Sequence, residues 1–272
     1  MPGNNSPIGV FDSGIGGLSV ANAIYGLLPQ ESIYYFADTG RVPYGPRPKA
    51  EILQFSKQIT QFLLDQGCKL IVVACNTATA AALEQLRLEW PDVPFVGMEP
   101  AVKPAAQATQ SGKVGVLATL STIQSDRYAH LMHRYAAEVE VLENPCIGLV
   151  PLIEQGGLQD YRTKKLLRAI VEPMLDQDVD TLVLGCTHYP FILPLLEEIV
   201  GPAFQIIDPA PAVARQVVRR LREHQMATTG INPPQYHFFA SGPTANLRLF
   251  TALPFQQRPF RSFQIDENRF LR

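Results

Sequence analysis

The sequence has little cysteine and little net charge, and it lacks long apolar runs. Only four cysteines occur in 272 residues, with no CxxC pair, which excludes a disulfide-stapled scaffold and predicts free thiols in a reducing cytoplasm. The formal net charge of −2 gives no general attraction for nucleic acid or an anionic membrane, so we expect neither as a partner. No stretch approaches the roughly 18 apolar residues of a membrane-spanning helix, and we expect no signal peptide because the first residues lack a basic region.

Apolar residues are abundant and are arranged as short runs between amphipathic stretches. They make up 46% of the chain, enough for one or two sizeable cores. In the first half, strand-like and helix-like segments alternate in the order β-α-β-α-β-α-β, and a similar alternation starts again near Lys113. This order predicts an α/β fold with mainly parallel sheets flanked by helices.

The two halves also repeat one another. In each half an apolar run ends in a small polar turn, at Asp12 or at Ala118, and a later run ends in a cysteine, Cys75 or Cys186, at a similar separation. A repeat of this kind predicts two pseudo-symmetric lobes with the active site between them.

We expect the first lobe to comprise residues 1–99 and 210–272 and the second to comprise residues 100–209. A strand-like run at residues 236–240 and a phenylalanine-rich tail predict that the C-terminal segment returns to the first lobe. The tail phenylalanines expected to pack there are Phe250, Phe255, Phe260, Phe263 and Phe270.

Cys75 and Cys186 occupy the position where open α/β sheets bind ligands, at the carboxyl end of a strand. We expect each cysteine to open a helix, whose first amides and dipole favour a thiolate and bind a carboxylate. Two opposed thiols suit a racemisation, because one removes the α-proton while the other delivers a proton to the opposite face.

The alternative is that these cysteines are small core residues, which is common at the end of a buried strand. Two cysteines in matching positions, each followed by polar residues, favour the functional interpretation. Cys68 and Cys146 lack that context, so we interpret them as structural.

Other motifs have weaker signals. Asp12 and Ser13 follow the first strand, where they either cap the next helix or contact a ligand. Gly14–Gly17 lacks the GxGxxG spacing and the lysine of nucleotide-binding loops. His130 and His133 have no further ligand nearby in sequence, so we expect no metal.

The motifs together carry a family resemblance over most of the chain. The sequence resembles glutamate racemases of the aspartate/glutamate racemase superfamily in the segments Ile8–Val20, Tyr35–Asp38, Pro43–Gly45, Val73–Ala78, Gly115–Thr119 and Leu184–Pro190. The resemblance implies a cofactor-independent, two-base enzyme of two lobes that supplies D-glutamate for peptidoglycan, usually as a homodimer.

The resemblance also implies roles for individual residues. The expected catalytic residues are Cys75 and Cys186 as the acid/base thiols, assisted by Asp12, His188 and Glu154. The expected substrate-binding residues are Asp12, Ser13, Pro43, Tyr44, Gly45, Asn76, Thr77, Thr119, Thr122, Thr187 and His188. The sequence departs from the family pattern at Ser121, where glycine is common, and at Pro48, where serine is common.

Two other functions remain open at this point. A relative that acts on aspartate or another α-substituted acid would share the thiol pair, because the thiols set the reaction type and the rest of the pocket sets the substrate. A two-lobed protein that binds an amino acid without chemistry would need neither cysteine.

Overall fold

A computed structural model describes residues 3–202, 204–230, 232–242 and 261–262. It divides into two compact units, Met1–Met98 with Ala210–Arg272, and Glu99–Pro209. The predicted packing of Phe250, Phe255, Phe260, Phe263 and Phe270 lies outside the described residues.

The regular elements alternate along the chain as the apolar pattern predicts. The described strands are β1 (Ile8–Asp12), β2 (Ile33–Ala37), β3 (Leu70–Val73), β4 (Phe95–Gly97), β5 (Lys113–Ala118), β6 (Glu140–Asn144), β7 (Thr181–Gly185), β8 (Gln205–Ile207), β9 (Tyr236–Ala240) and β10 (Arg261–Ser262). The described α-helices are α1 (Leu18–Leu27), α2 (Lys49–Asp65), α3 (Asn76–Glu89), α4 (Val102–Ala108), α5 (Leu120–Ile123), α6 (Asp126–Tyr135), α7 (Leu149–Glu154), α8 (Tyr161–Leu175), α9 (Leu193–Val200) and α10 (Ala210–Glu223). A 3₁₀ helix covers Tyr189–Ile192.

The first unit contains a parallel sheet with the strand order β10-β9-β2-β1-β3-β4. Every residue of the central strands β1 and β3 is buried, as continuous apolar runs in a sheet covered on both faces should be. In register, Phe11 of β1 lies beside Phe36 of β2 and Val73 of β3. The residues that follow these strands therefore meet at one edge of the sheet.

The second unit contains a parallel sheet with the order β6-β5-β7-β8. Its order matches the β2-β1-β3-β4 portion of the first sheet, with the first strand of each unit inside and the third beside it. Cys75 follows β3 and Cys186 follows β7, so the two cysteines occupy topologically equivalent positions. The prediction of two related α/β units with parallel sheets is confirmed.

No helix in the described ranges is both long enough and apolar enough to cross a membrane. In the longest described helix, α2, only some of the residues are buried, and these include polar as well as apolar side chains.

A buried ion pair ties the first unit together at the end of the sheet opposite the cysteine. Nζ of Lys69 lies 2.7 Å from Oε2 of Glu31, and the two side chains are 0% and 2% exposed. Lys69 also donates to the carbonyl of Asn4, while Oε1 of Glu31 accepts from the amide of Thr228 at 2.8 Å. The pair thus joins β3 to the start of the chain and to the segment after α10.

We expect Lys69→Ala to lower the free energy of unfolding by about 3–5 kcal/mol, because it leaves the Glu31 carboxylate buried without its cation. Urea denaturation measures the loss. Lys57→Ala is the matched control, since the Lys57–Glu89 pair is 38% and 42% exposed and should contribute about 1 kcal/mol or less. Equal losses in the two variants would contradict this assignment.

Candidate active site

Cys75 caps the N-terminus of α3. Its side chain is 5% exposed, and Sγ accepts a hydrogen bond from the amide of Ala78 at 3.4 Å. The Oγ atom of Ser13, which follows β1, lies 3.9 Å from the same sulfur. The prediction that Cys75 opens a helix is therefore confirmed, and a helix N-terminus stabilises negative charge on a group in this position.

Asp12 organises the turn between β1 and α1. Its Oδ2 accepts hydrogen bonds from the amides of Gly14 and Gly17, both at 3.1 Å. A Cβ on Gly17 would lie 2.7 Å from Cβ of Asp12, so only glycine fits against the buried aspartate. Asp12 therefore holds the turn that precedes α1, but it does not cap the helix, whose N-cap residue is Gly17 without a side-chain capping bond. Its assistance in proton transfer stays a prediction.

Asn76 is a buried polar residue at the start of α3. It follows Cys75, is 3% exposed, and both polar atoms of its side chain lack a hydrogen-bond partner among the described residues. A buried amide without partners is costly. Thr77 is the next residue and is also buried, and Ser13 is buried with its hydroxyl 3.9 Å from Sγ of Cys75. The start of α3 and the turn after β1 therefore offer polar groups suited to a carboxylate.

Tyr44 occupies the segment between β2 and α2. Its hydroxyl donates to Oδ2 of Asp38 at 2.5 Å. Burial raises the pKa of Tyr44 well above its ordinary value, and the charges of Asp38 and Cys75 raise it further. Tyr44 is therefore a neutral donor, and the adjacent Pro43 and Gly45 are half-buried.

Asp38, which accepts the Tyr44 hydroxyl, was not among the predicted site residues. It follows β2 directly, as Asp12 ends β1, and it is fully buried. Burial raises the pKa of Asp38, and Arg41, Ser241 and Tyr44 act in the opposite direction. An acidic residue directly after a buried strand was the signal that could have identified it.

In the second unit, Cys186, His188 and Glu154 form a chain of two successive contacts. Sγ of Cys186 lies 3.7 Å from Nδ1 of His188, and Nε2 of His188 lies 2.6 Å from Oε1 of Glu154. Cys186 is 6% and His188 is 2% exposed. The structure thus brings together three of the five predicted catalytic residues.

The charge state of His188 depends on its two neighbours. Burial of the imidazole by itself lowers the pKa of His188, but the hydrogen bonds and charges of Cys186 and Glu154 outweigh burial. The pKa of His188 therefore lies well above its ordinary value. A positively charged imidazole therefore lies beside Cys186.

The expectation that Cys186 opens a helix, as Cys75 does, is wrong. A turn follows Cys186, then the 3₁₀ helix begins at Tyr189 and α9 begins only at Leu193. Pro194 lacks the amide proton that a continuous α-helix would need at that position. The two thiols therefore have different surroundings, a helix N-terminus at Cys75 and an imidazole at Cys186.

The predicted threonines of the second unit lie on two loops after neighbouring strands. Thr119 follows β5 and caps α5, with its Oγ1 2.9 Å from Oγ1 of Thr122. Thr187 follows Cys186 and is 2% exposed. The strand pairing places Ala118 beside Gly185, so these loops start at the same edge of the sheet.

The other two cysteines behave as core residues. Burial raises the pKa of Cys146 to about 12, and burial also raises the pKa of Cys68. Both therefore remain neutral thiols. Cys146 nevertheless lies near Tyr189, whose pKa is raised well above its ordinary value by burial and by the neighbouring Cys146 and Cys186.

His130 and His133 lie on α6 and are exposed. Within the described ranges, no group of three or more histidine, cysteine or acidic side chains is arranged to hold a metal ion.

Known proteins match both the sequence and the fold. The family model described as Asp/Glu/Hydantoin racemase matches residues 19–217. A glutamate racemase from Ectopseudomonas mendocina is 53% identical over 84% of this chain and 87% of the relative. A glutamate racemase from Pseudomonas entomophila is 46% identical over 97% of this chain and 100% of the relative.

Solved structures agree with these matches. The crystal structure of glutamate racemase from Francisella tularensis, in complex with D-glutamate, has a TM-score of 0.83 at 32% identity and covers 97% of this chain and 99% of that one. Escherichia coli glutamate racemase, in complex with L-glutamate and the activator UDP-MurNAc-ala, has a TM-score of 0.82 at 31% identity, covering 95% and 97%. The chain belongs to the Asp/Glu/hydantoin racemase family and is an amino-acid racemase. The resemblance to glutamate racemases is confirmed.

Proposed function

We propose that the protein interconverts L- and D-glutamate without a cofactor, with Cys75 and Cys186 as its two acid/base groups. The observation that carries the proposal is the equivalent topological position of the two cysteines, each buried within two residues of the end of the third strand of a matching parallel sheet. Core packing alone does not require an imidazole and a carboxylate beside one of them.

In each turnover, one cysteine removes a proton from glutamate and the other cysteine donates a proton to it. The thiolate of one cysteine takes the α-proton of glutamate, and the electron pair of the broken C–H bond passes to the α-carbon and its carboxylate. The thiol of the other cysteine then gives its proton to the opposite face. Each cysteine ends in the other's starting form, so the reverse reaction begins from the product state.

Local structure supports different means of ionising the two thiols. The amide of Ala78 stabilises a thiolate at Cys75. At Cys186, the protonated imidazole of His188 lies 3.7 Å from the sulfur, and the Glu154 carboxylate lies 2.6 Å from the other nitrogen of that imidazole. We propose that Asp12 assists at the first thiol, from its position at the end of β1 beside β3.

Substrate binding is proposed for the polar groups around each thiol. Asn76, with its buried amide that lacks a partner among the described residues, is the first candidate for the glutamate carboxylates. Tyr44 lies near the same thiol as a neutral side chain whose hydroxyl proton is donated to Asp38. The remaining proposed binding residues are Ser13, Pro43, Gly45, Thr77, Thr119, Thr122, Thr187 and His188.

Three wider proposals rest on the family rather than on the described contacts. The product D-glutamate would serve peptidoglycan synthesis, the enzyme would act as a homodimer, and it would work in the cytoplasm. The cysteine usage of the sequence supports a reducing compartment, and the curated relatives named above are glutamate racemases.

The competing substrate is aspartate. The family model names both acids, and an aspartate racemase homologue from Pyrococcus horikoshii shares the fold at a TM-score of 0.50, with 16% identity. Sequence identity of 53% to a glutamate racemase favours glutamate. A purely binding function is disfavoured because it needs no pair of ionisable thiols.

We expect the purified protein to racemise L-glutamate in deuterated water without pyridoxal phosphate. Circular dichroism should decay to zero while the α-proton signal disappears, and aspartate should react at least about a hundredfold more slowly, as a buried site selects by length and polar contacts. A faster reaction with aspartate than with glutamate would identify aspartate as the preferred substrate. Absence of exchange with either acid would end the racemase proposal for this pair of substrates.

A further inference from the structure

The ends of β2 and β9 lie side by side at the edge of the sheet that carries Cys75. Ala37, the last residue of β2, pairs with Ala240, the last residue of β9. The amide of Ser241 donates to the carbonyl of Ala37 at 3.1 Å. The chain after β9 thus meets the loop that leads from Asp38 towards Tyr44.

The side chain of Ser241 makes two further bonds to that loop. Its hydroxyl donates to Oδ1 of Asp38 at 2.5 Å and accepts from the amide of Gly40 at 3.0 Å. A single hydroxyl therefore holds both the backbone and the carboxylate of the loop.

The backbones at this contact approach too closely for side chains. A Cβ on Gly242 would lie 2.6 Å from Cα of Gly40, and a Cβ on Gly40 would lie 3.1 Å from the carbonyl oxygen of Ser241. Glycine at both positions lets the two segments touch, so the Ser241 hydroxyl reaches Asp38 in a defined geometry.

The other carboxylate oxygen of Asp38 contacts Tyr44, which packs in the same core cluster as Cys75. Oδ2 accepts the Tyr44 hydroxyl at 2.5 Å and lies 3.5 Å from the Arg41 guanidinium. Tyr44 is 1% exposed and belongs to the same buried core cluster as Cys75. One carboxylate thus joins Ser241 on one side to Tyr44 on the other.

We propose that Ser241 is a positioning residue for glutamate binding: through Asp38 it fixes the orientation of Tyr44 and of the segment Pro43–Gly45. The inference rests on the proposed function, because it assigns Tyr44 to the substrate. It gives the C-terminal segment a part in the site, although Ser241 lies 166 positions after Cys75 in sequence.

The matched pair of variants is Ser241→Ala and Ser32→Ala. Ser32 precedes β2, and its hydroxyl accepts from the amide of Gln235 at 2.9 Å. Both changes remove one serine hydroxyl that joins the β2 and β9 segments, but at opposite ends of the two strands. A general weakening of the strand pair would affect both variants, whereas loss of positioning would affect only Ser241→Ala.

We expect Ser241→Ala to raise KM for L-glutamate about tenfold, the effect of losing one hydrogen bond to a charged group, with kcat within about twofold of wild type. Ser32→Ala should leave both constants within about twofold. Ser241→Thr, which keeps the hydroxyl, should restore KM to within about threefold. Thermal unfolding of all variants shows whether each one is folded at the assay temperature.

The outcomes separate this inference from the proposed function. Equal KM values for Ser241→Ala and Ser32→Ala would overturn the positioning role, as would an unrestored KM in a folded Ser241→Thr. If wild type itself does not racemise glutamate in the same assay, the proposed function fails. A tenfold rise in KM confined to Ser241→Ala supports both.

Discussion

Cys75→Ala is expected to lower the rate of glutamate racemisation by at least about a thousandfold, and Cys186→Ala by a similar factor, because each removes one of two acid/base groups. Racemisation needs proton transfer on both faces of the α-carbon, so neither thiol replaces the other. Optical rotation starting from each enantiomer measures the loss.

Proton exchange in deuterated water distinguishes loss of α-proton removal from loss of proton delivery to the opposite face. Optical rotation does not distinguish the two. A variant with one remaining thiol can remove the α-proton of one enantiomer only and return a deuteron to the same face. Each variant should therefore exchange at most one enantiomer, and the two variants should prefer opposite ones. Both variants exchanging the same enantiomer would contradict the assignment of one thiol to each face.

Cys68→Ala is the control for these substitutions. Cys68 is 1% exposed, and burial keeps its thiol neutral by raising its pKa. Its loss should cost about 1 kcal/mol of stability through the small cavity left behind, without a change in kcat. Near-wild-type racemisation by Cys75→Ala would remove the two-thiol mechanism.

The central sheet strands and the first thiol could be predicted from sequence because their signals are local. β1, β3 and β7 are buried along their whole length, and continuous apolar runs bounded by polar residues mark such strands. Cys75 caps α3, at the point where the apolar run gives way to polar residues. Neighbouring residues alone decide these features.

Other features depend on partners far away in sequence. The strand β6 is largely polar and only partly buried, because it lies at the edge of its sheet, so its apolar pattern is weak. The bond from Ser241 to Asp38 joins residues 203 positions apart. Nothing in the local pattern around Asp38 predicts that contact, although the acidic residue after β2 was itself visible.

The local structure after Cys186 was predicted wrongly for a related reason. Sequence similarity around Cys75 and Cys186 predicted the same helix start twice, but the turn and the 3₁₀ helix intervene at Cys186. The compensating group, Glu154, lies 34 positions away from His188. The resemblance indicated Glu154, but only the fold shows that it reaches the imidazole.

Removing Glu154 is expected to shift the pH dependence of racemisation at its alkaline side. The pKa of His188 lies well above its ordinary value, so the imidazolium is present at neutral pH and is lost as the pH rises through that raised pKa. The stability that the His188 imidazolium contributes follows the same sign. It is complete below the unfolded-state pKa of about 6.5, and it is lost as the pH rises through the raised pKa of the folded state. Glu154→Gln removes one cause of the raised pKa, so the alkaline decline of kcat/KM should move to lower pH.

Glu172→Gln is the control for that change, since Glu172 pairs with Arg168 on an exposed face of α8. Its pH profile should match wild type. Because Cys186 and His188 interact, the alkaline decline reports the pair rather than either group alone. An unchanged profile in Glu154→Gln would show that the carboxylate does not sustain the imidazolium.

His188→Asn should lower kcat by about 10²–10⁴-fold, the usual range for an acid/base group, because asparagine keeps a polar side chain of similar reach but cannot carry the positive charge that the imidazolium places beside Cys186. The loss should shrink as the pH rises towards the range where wild-type His188 is itself neutral, since the two proteins then differ less in charge. His130→Asn, on an exposed face of α6, should leave the profile unchanged. A loss in His188→Asn that is constant across pH would assign the imidazole to substrate contact and leave ionisation of Cys186 to the backbone around it.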